Sequence, residues 1–345
     1  MVLPSTNSQS PLFLFNGSNP VHLAFGQAIG AESFTINENE RVAKRQFAPL
    51  KAYRLLRNSF SVPSNYRVVV CESCYYYPAI KKRFSFGRFK SKIINVNCGP
   101  LLYNLLSGRL KGAEASFLKS LLKEVDKHLV FGSYGVEIVE KLDPGKPTKI
   151  VYPFVSDDRF SELLGIKPTL ESNEITIIAN DDIKCKGFDL LIEAFNKACE
   201  SRKNLKLNLV TNIPENELKA FDQSNTGAIN YLGKITNVPN VLSHTSLYVH
   251  PSRGDTFPRA SIEAMLAGVP TIVSTETGTK ELITEVDSEM VCNLASKDLA
   301  KRIITYLDKS ASEKKKISEK SRSLAKKFNR AVQLANFKKQ FDALL

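Results

Sequence analysis

Short apolar runs punctuate the second half of this chain, and each is followed by an amphipathic stretch. Ile175 to Ala179 (ITIIA), Leu205 to Val210 (LKLNLV), Ile229 to Gly233 (INYLG), Leu247 to His250 and Thr271 to Ser274 are four to six residues long and read as strands, the first and last of them buried. Between them, the segment from Gly187 to Phe195 places Leu190, Leu191, Ala194 and Phe195 on one helical face. Glu215 to Phe221 and Val238 to His244 read as short helices. Strands alternating with helices at this spacing predict a parallel sheet covered on both faces, with any ligand beyond the carboxyl ends of the strands, where Gly17, Gly233, Asp255 and Gly278 would gather.

The first half repeats the pattern more faintly. Pro11 to Asn16 reads as a first strand, and Gly17-Ser18-Asn19-Pro20 turns into a helix carrying Val21, Leu23, Ala24, Phe25 and Ile29. Tyr66 to Cys71, Ile93 to Val96, Leu129 to Phe131 and Lys149 to Pro153 are further strand candidates. A boundary is expected near Val155 to Lys167, separating a domain over 1–160, completed by 329–345, from a second over 161–328. The final stretch keeps apolar residues at Val332, Leu334, Ala335, Phe337, Phe341 and Leu344. Lys309 to Lys327 reads as a charge-rich helix, with Lys314, Lys315 and Lys316 on a solvated face.

The densest chemistry lies in His250 to Ile283, HPSRGDTFPRASIEAMLAGVPTIVSTETGTKELI. It predicts a loop, a helix with Thr256 as cap and Pro258 in its first turn, a stop at Gly268 and Pro270, and a buried strand. Such a loop-to-helix entry presents unpaired backbone N–H groups that suit a phosphate or a sugar hydroxyl. Asp255 and Glu263 stand eight residues apart, on the order of 10 Å or more at about 1.5 Å rise per residue. That is too far to share a proton and suits holding two ends of one elongated ligand. On spacing alone, a plain loop acid and a solvated or salt-bridged helix acid are the favoured reading.

The full run resembles the donor-binding signature of retaining glycosyltransferases of family four, the glycosyl transferases group 1. These have an acidic residue, seven intervening residues, a Glu, then Ala-Met and a Gly-x-Pro strand entry. Here Asp255 stands where the family has its first Glu, and Glu263-Ala264-Met265, Gly268-Val269-Pro270, Gly278 and Glu281 match the rest. The strand Ile175 to Ala179, a polar loop Asn180 to Cys185 and Lys186-Gly187-Phe188-Asp189 resemble the family's strand-loop-Lys-Gly-helix unit. An Arg frequent about five residues before that lysine is replaced by Asp181, which leaves Lys184 or Arg253 to supply the second cation. As a plain helix-start residue Lys186 would sit against the dipole, an arrangement that an intervening anion relieves.

The resemblance implies an α/β fold of two Rossmann-like domains facing a central cleft (GT-B). It further implies transfer of a sugar, with retention and without metal or other cofactor, from a nucleotide diphosphate sugar to a glycan or lipid-linked acceptor. The amino domain would hold the acceptor and the second domain the donor. Asp255 and Lys186 would be catalytic, with Asp255 on the sugar hydroxyls and Lys186 on the diphosphate. Glu263 would bind the donor ribose, Lys234 would lie at the nucleotide base, and Thr256, Phe257 and Arg253 would line the donor. Gly17 and Asn97 would face it from the amino domain, Asn97 standing near a position where relatives often carry a histidine. An inactive GT-B scaffold is the competing reading, suggested by those three departures from the family pattern.

Net charge sharpens the partner question. The chain carries +13, and its first 165 residues hold 22 Lys and Arg against 13 Asp and Glu, an excess that favours anionic partners. The cluster Lys81 to Lys92, KKRFSFGRFKSK, interleaves cations with phenylalanines and predicts either contact with an anionic membrane surface or an ordinary loop whose rings pack inward. Charge alone also permits nucleic acid, which is disfavoured. With no apolar run of eighteen residues and no charged-then-apolar leader pattern, a cytoplasmic protein is expected, peripheral at most at the inner membrane face. Six cysteines include a single Cys71-Glu72-Ser73-Cys74 pair without a second pair or neighbouring histidine in sequence. These read as buried structural thiols, with no metal site expected. His250, ending a strand beside the signature, is a site or packing residue.

Overall fold

The computed structural model describes residues 10–16, 20–36, 48–180, 182–222 and 227–345. Gly17 and Asp181, both singled out above, lie outside the described residues. The chain divides into two compact units, Met1–Tyr152 with Ala331–Leu345, and Pro153–Arg330.

The first unit is built on six parallel strands: β1 (Leu12–Asn16), β2 (Glu32–Ile36), β3 (Val68–Glu72), β4 (Lys92–Asn97), β5 (Lys127–Phe131) and β6 (Thr148–Val151). Their order across the sheet is β2-β1-β3-β4-β5-β6. The central strands are continuous apolar runs because helices cover both faces and no side faces water. Val69, Val70 and Cys71 of β3 and Ile93, Ile94 and Val96 of β4 are all buried. The helix Arg330–Asp342 belongs mostly to this unit, where Phe337 stacks on Phe25 at 4.3 Å between ring centroids. Val332, expected on its apolar face, is instead exposed.

The second unit contains β7 (Glu174–Ile178), β8 (Lys206–Val210), β9 (Ile229–Gly233), β10 (Leu247–His250), β11 (Thr271–Ser274) and β12 (Val291–Cys292), again all parallel. The order β12-β11-β10-β7-β8-β9 is that of a Rossmann sheet, whose strand order reverses between β7 and β10. Chains leaving those two neighbours diverge to opposite sides and open a crevice at their carboxyl ends. That crevice receives both chemistry-bearing segments.

Several expectations change. The cluster Lys81 to Lys92 is not a free loop, because residues to Phe84 belong to the helix Tyr76–Phe84. Lys81 is buried and donates to the carbonyls of Phe60 and Val62. Lys82 pairs with Asp126 at 3.1 Å, and Arg83 pairs with Glu124 at 3.1 Å and donates to Ser120. Phe89 is buried while Phe86 is 97 % exposed. Lys314 is likewise buried, pairing with Glu171 at 3.3 Å across from the Tyr306 ring, so only its neighbours Lys315 and Lys316 stand exposed. No helix among the described residues is long and apolar enough to cross a membrane.

Candidate functional site

Two loops meet at the crevice of the second unit. The first leaves β7 and forms a single turn of helix, Ile183–Lys186, capped by the Asp182 side chain accepting from the Cys185 amide at 2.9 Å. Gly187 then adopts φ +75°, and the long helix begins at Phe188. Lys186 therefore ends a short helix rather than starting a long one, at the end where a cation is favoured. Gly187 is required twice over, by its left-handed backbone and because a Cβ there would fall 2.1 Å from the Pro251 carbonyl oxygen.

The second loop leaves β10 and carries Pro251 to Pro258. It is stitched to the first by the Arg253 amide donating to the Cys185 carbonyl at 2.7 Å and by Ser252 Oγ donating to the same oxygen at 2.8 Å. On its other side the Gly254 amide donates to Glu276 and the Gly278 amide donates to the Asp255 carbonyl at 2.8 Å. Gly278 packs so closely that a Cβ would meet the Thr256 carbonyl oxygen. The helix Arg259–Leu266 follows with Pro258 as its cap residue and no capping side chain. Thr256 does not cap it, and its buried side chain sits two residues before the cap residue Pro258. Phe257 is also buried, its ring 5.6 Å from that of Phe328.

The loops bring Lys186 and Asp255 together, with Nζ 2.6 Å from Oδ2. His250 Nε2 lies 3.2 Å from the same oxygen, and its Nδ1 lies 3.2 Å from the Tyr248 hydroxyl, which donates to the Ile178 carbonyl. Tyr248 and His250 share one side of β10 because successive strand residues alternate faces. Burial disfavours ionisation of Asp255, but the Lys186 ammonium and the His250 contact outweigh it and hold this carboxyl well below the usual range. Burial depresses His250, so the ring is neutral, and the tautomer with hydrogen on Nε2 serves Asp255. An Asp held ionised this way accepts hydrogen bonds from hydroxyls and has no proton to give.

Glu263 contrasts with it. Burial raises its pKa against the pull of Arg259 and Arg159, and among the described residues no hydrogen bond or ion pair engages its carboxylate. Arg253 grips Asp189 through two nitrogens, at 2.8 and 3.2 Å, and Lys184 meets the same carboxylate at 2.8 Å. Both candidate second cations thus share one acid, whose own pKa burial would raise but these cations lower. Lys234 is exposed beyond β9, at the sheet edge away from the β7–β10 crevice, with Gly233 beside it. Asn97 belongs to the other unit, at the end of β4, buried with neither amide atom hydrogen-bonded among the described residues. The reading from sequence missed Asp189 as the anchor of Arg253 and Tyr248 as the support of His250. The strand alternation that pairs Tyr248 with His250 was there to be read, while the Asp189 contact spans 64 residues.

Residues 172–309 match the profile of the family described as glycosyl transferases group 1. No curated protein sequence matches significantly. Among solved structures, Anabaena HepE in complex with UDP and glucose is similar over 97 % of this chain and 99 % of its own, with 16 % identity and a TM-score of 0.67. A glycosyltransferase from Rickettsia africae covers the same shares at 14 % identity and 0.67. Sucrose-phosphate synthase from Thermosynechococcus elongatus also covers 97 % and 99 %, at 12 % identity and 0.72. With two parallel Rossmann-like sheets and these likenesses, the chain has the GT-B fold, and its residues 172–309 are related to the glycosyl transferases group 1.

Proposed function

We propose that the protein moves a sugar, with retention and without metal, from a nucleotide diphosphate sugar to a glycan or lipid-linked acceptor. The second unit binds the donor and the first the acceptor. The observation that carries this reading is the Lys186–Asp255 pair at the crevice, with the unpaired Glu263 on the helix that follows. When the bond between the sugar and the diphosphate breaks, negative charge grows on the departing phosphate. Lys186 is the cation that neutralises it, aided by the dipole of the helix Arg259–Leu266, whose N-terminus follows the Asp255 loop. A diphosphate that takes up the Lys186 ammonium frees Asp255 Oδ2 for sugar hydroxyls. Glu263 accepts from the donor ribose, Lys234 lies at the base, and Arg253 reinforces the diphosphate end while Asp189 holds its plane. Thr256 and Phe257 fix the loop around the sugar. The Asn97 carboxamide supplies a hydrogen-bond group but no base near neutral pH. HepE, solved with UDP and glucose, supports a uridine donor as the first to test.

An anionic membrane surface is the proposed site of acceptor encounter, and the contact moves from the Lys81 to Lys92 cluster to the neighbouring helix Ala48–Ser61. That helix exposes Tyr53, Leu56 and Phe60 at helical spacing, with Arg57 beside them. On this reading the protein works on the cytoplasmic side, peripheral to the inner membrane face.

Thermal unfolding in the presence of UDP-, GDP- and ADP-sugars tests the donor reading. One base class raises the melting temperature of the wild type by mass action and leaves Lys186→Ala unmoved. If no nucleotide sugar shifts a folded wild-type protein, the reading fails and the inactive scaffold takes its place.

A further inference from the structure

The crevice of the first unit holds a second constellation, distinct from the residues assigned above. Its sheet reverses strand order between β1 and β3, the position at which open α/β sheets bind ligands. Three side chains from three segments converge there. His22 lies on the helix Pro20–Ala28 that follows β1, Glu72 is the last residue of β3, and Cys98 is the first residue after β4. Their ligand atoms all lie within 4.8 Å of one another, and His22 Nδ1 already touches Glu72 Oε1.

The backbone around them is tied in place. Ser73 adopts φ +51°, and its hydroxyl accepts from the Cys98 amide at 3.2 Å and the Gly99 amide at 3.1 Å, fixing the thiol-bearing loop against the end of β3. The second Glu72 oxygen, Oε2, is shielded from solvent and has no hydrogen-bond partner among the described residues. A buried carboxylate oxygen left over beside an imidazole and a thiol is a costly arrangement unless something positive completes it.

We propose that His22, Glu72 and Cys98 bind one divalent transition-metal ion of borderline softness, Zn²⁺ being the one that fits. The thiol argues against magnesium and calcium, which take oxygen ligands, and a mixed nitrogen, oxygen and sulfur set of three suits zinc with a fourth position open. Bonds of about 2.0–2.3 Å to each donor require side-chain adjustments of under about an ångström from the present spacing. On binding, the Cys98 thiol and the His22 nitrogen that faces Glu72 each give up a proton to solvent, so no oxidant or reductant is involved. Sequence spacing concealed this site because the local pair is Cys71 and Cys74, whose thiols point to the carbonyls of Ile94 and Leu14. The ion would fasten the start of the first helix to the ends of two central strands, independently of the donor crevice.

The test is titration of the chelator-stripped, tag-free full chain with Zn²⁺, and with Co²⁺ as a spectroscopic probe. One equivalent binds, Co²⁺ develops a thiolate-to-metal charge-transfer band in the near ultraviolet, and Zn²⁺ raises the melting temperature. Cys98→Ser removes the band, and His22→Ala and Glu72→Gln each weaken Zn²⁺ by about tenfold or more. Cys199→Ser, at a half-buried helix position in the other unit, changes nothing. Far-UV circular dichroism of each variant confirms folding before the titration, and Glu72→Gln serves if Cys98→Ser does not fold. Absence of saturable binding at one equivalent overturns the proposal, as does a band that survives Cys98→Ser in a folded protein. A fully retained Zn²⁺ affinity in folded Glu72→Gln also overturns it.

Discussion

Replacing Gly187 with alanine probes the close approach on which the candidate donor site depends. Two costs arise. The left-handed φ of +75° penalises any Cβ by about 1–2 kcal/mol. The added methyl would also lie 2.1 Å from the Pro251 carbonyl oxygen and 2.8 Å from its carbon. That carbonyl is backbone, and the loop around it is pinned by Arg253 N and Ser252 Oγ on the Cys185 oxygen, so no rotamer change makes room. Forcing the two loops apart in a packed interior costs a further ~1–3 kcal/mol. The sum, about 2–5 kcal/mol, is a large share of the ~5–15 kcal/mol that holds a domain folded. Gly233→Ala is the control, because its φ of +64° carries the same backbone penalty but nothing lies within 4 Å of a Cβ. The chain has no tryptophan, so urea unfolding is followed by far-UV circular dichroism. Gly187→Ala should lose about 1–3 kcal/mol more than Gly233→Ala and should also lose donor affinity, since Lys186 is displaced with its neighbour. Equal urea midpoints for the two variants would refute the close approach and, with it, the geometry that sets Lys186 against Asp255.

Other consequences are testable on the same material. Asp255 has a folded pKa below its unfolded value, so it contributes stability above about pH 4 that is lost as pH falls through the folded value. Asp255→Asn should therefore show a shallower acid loss of urea midpoint below about pH 4 than wild type, and identical slopes would contradict the depressed pKa. Glu263 has the opposite sign. Its raised pKa favours the folded state below about pH 4 and costs stability as pH rises through the folded value, so Glu263→Gln should unfold at higher urea near neutral pH while binding donor less well. A variant as sensitive to neutral pH as wild type would place that burden elsewhere. In flotation with anionic vesicles, Tyr53, Leu56 and Phe60 replaced together by serine should abolish the floated fraction, whereas neutralising Lys81, Lys82 and Arg83 should leave it largely intact in a folded protein. The reverse order would return the contact to the cluster.

The central strands were legible because buried parallel strands are continuous apolar runs. Leu12–Asn16, Val68–Glu72, Lys206–Val210, Leu247–His250 and Thr271–Ser274 fall on such runs, whereas Ile229–Gly233, read as a strand, is an edge strand and mostly exposed. The edge strand β2 was not, since ESFTI is mostly exposed and shows little apolar content, and β12 is only two residues long. The helices Gly112–Leu122 and Gly132–Leu142 also escaped, both beginning at a glycine without a side-chain cap. Chemistry followed the same division. Asp255, Glu263 and Lys186 stood out through the wording of contiguous segments. The pairing of Lys186 with Asp255 spans 69 residues, and the meeting of His22, Glu72 and Cys98 spans more. No local periodicity encodes such contacts, because the crossover of the sheet creates them. Lys81 shows the converse limit, a cation in a basic run that turns inward to the carbonyls of Phe60 and Val62 at the carboxyl end of the helix Ala48–Ser61.

The donor site is tested most directly by isothermal titration of UDP-glucose, or of whichever nucleotide sugar stabilises the protein, into wild type, Lys186→Ala and Glu263→Ala. The account predicts saturable binding at one site in the second unit and a loss of about tenfold or more in each variant, ~1.4 kcal/mol apiece. Undiminished binding in both folded variants would contradict it.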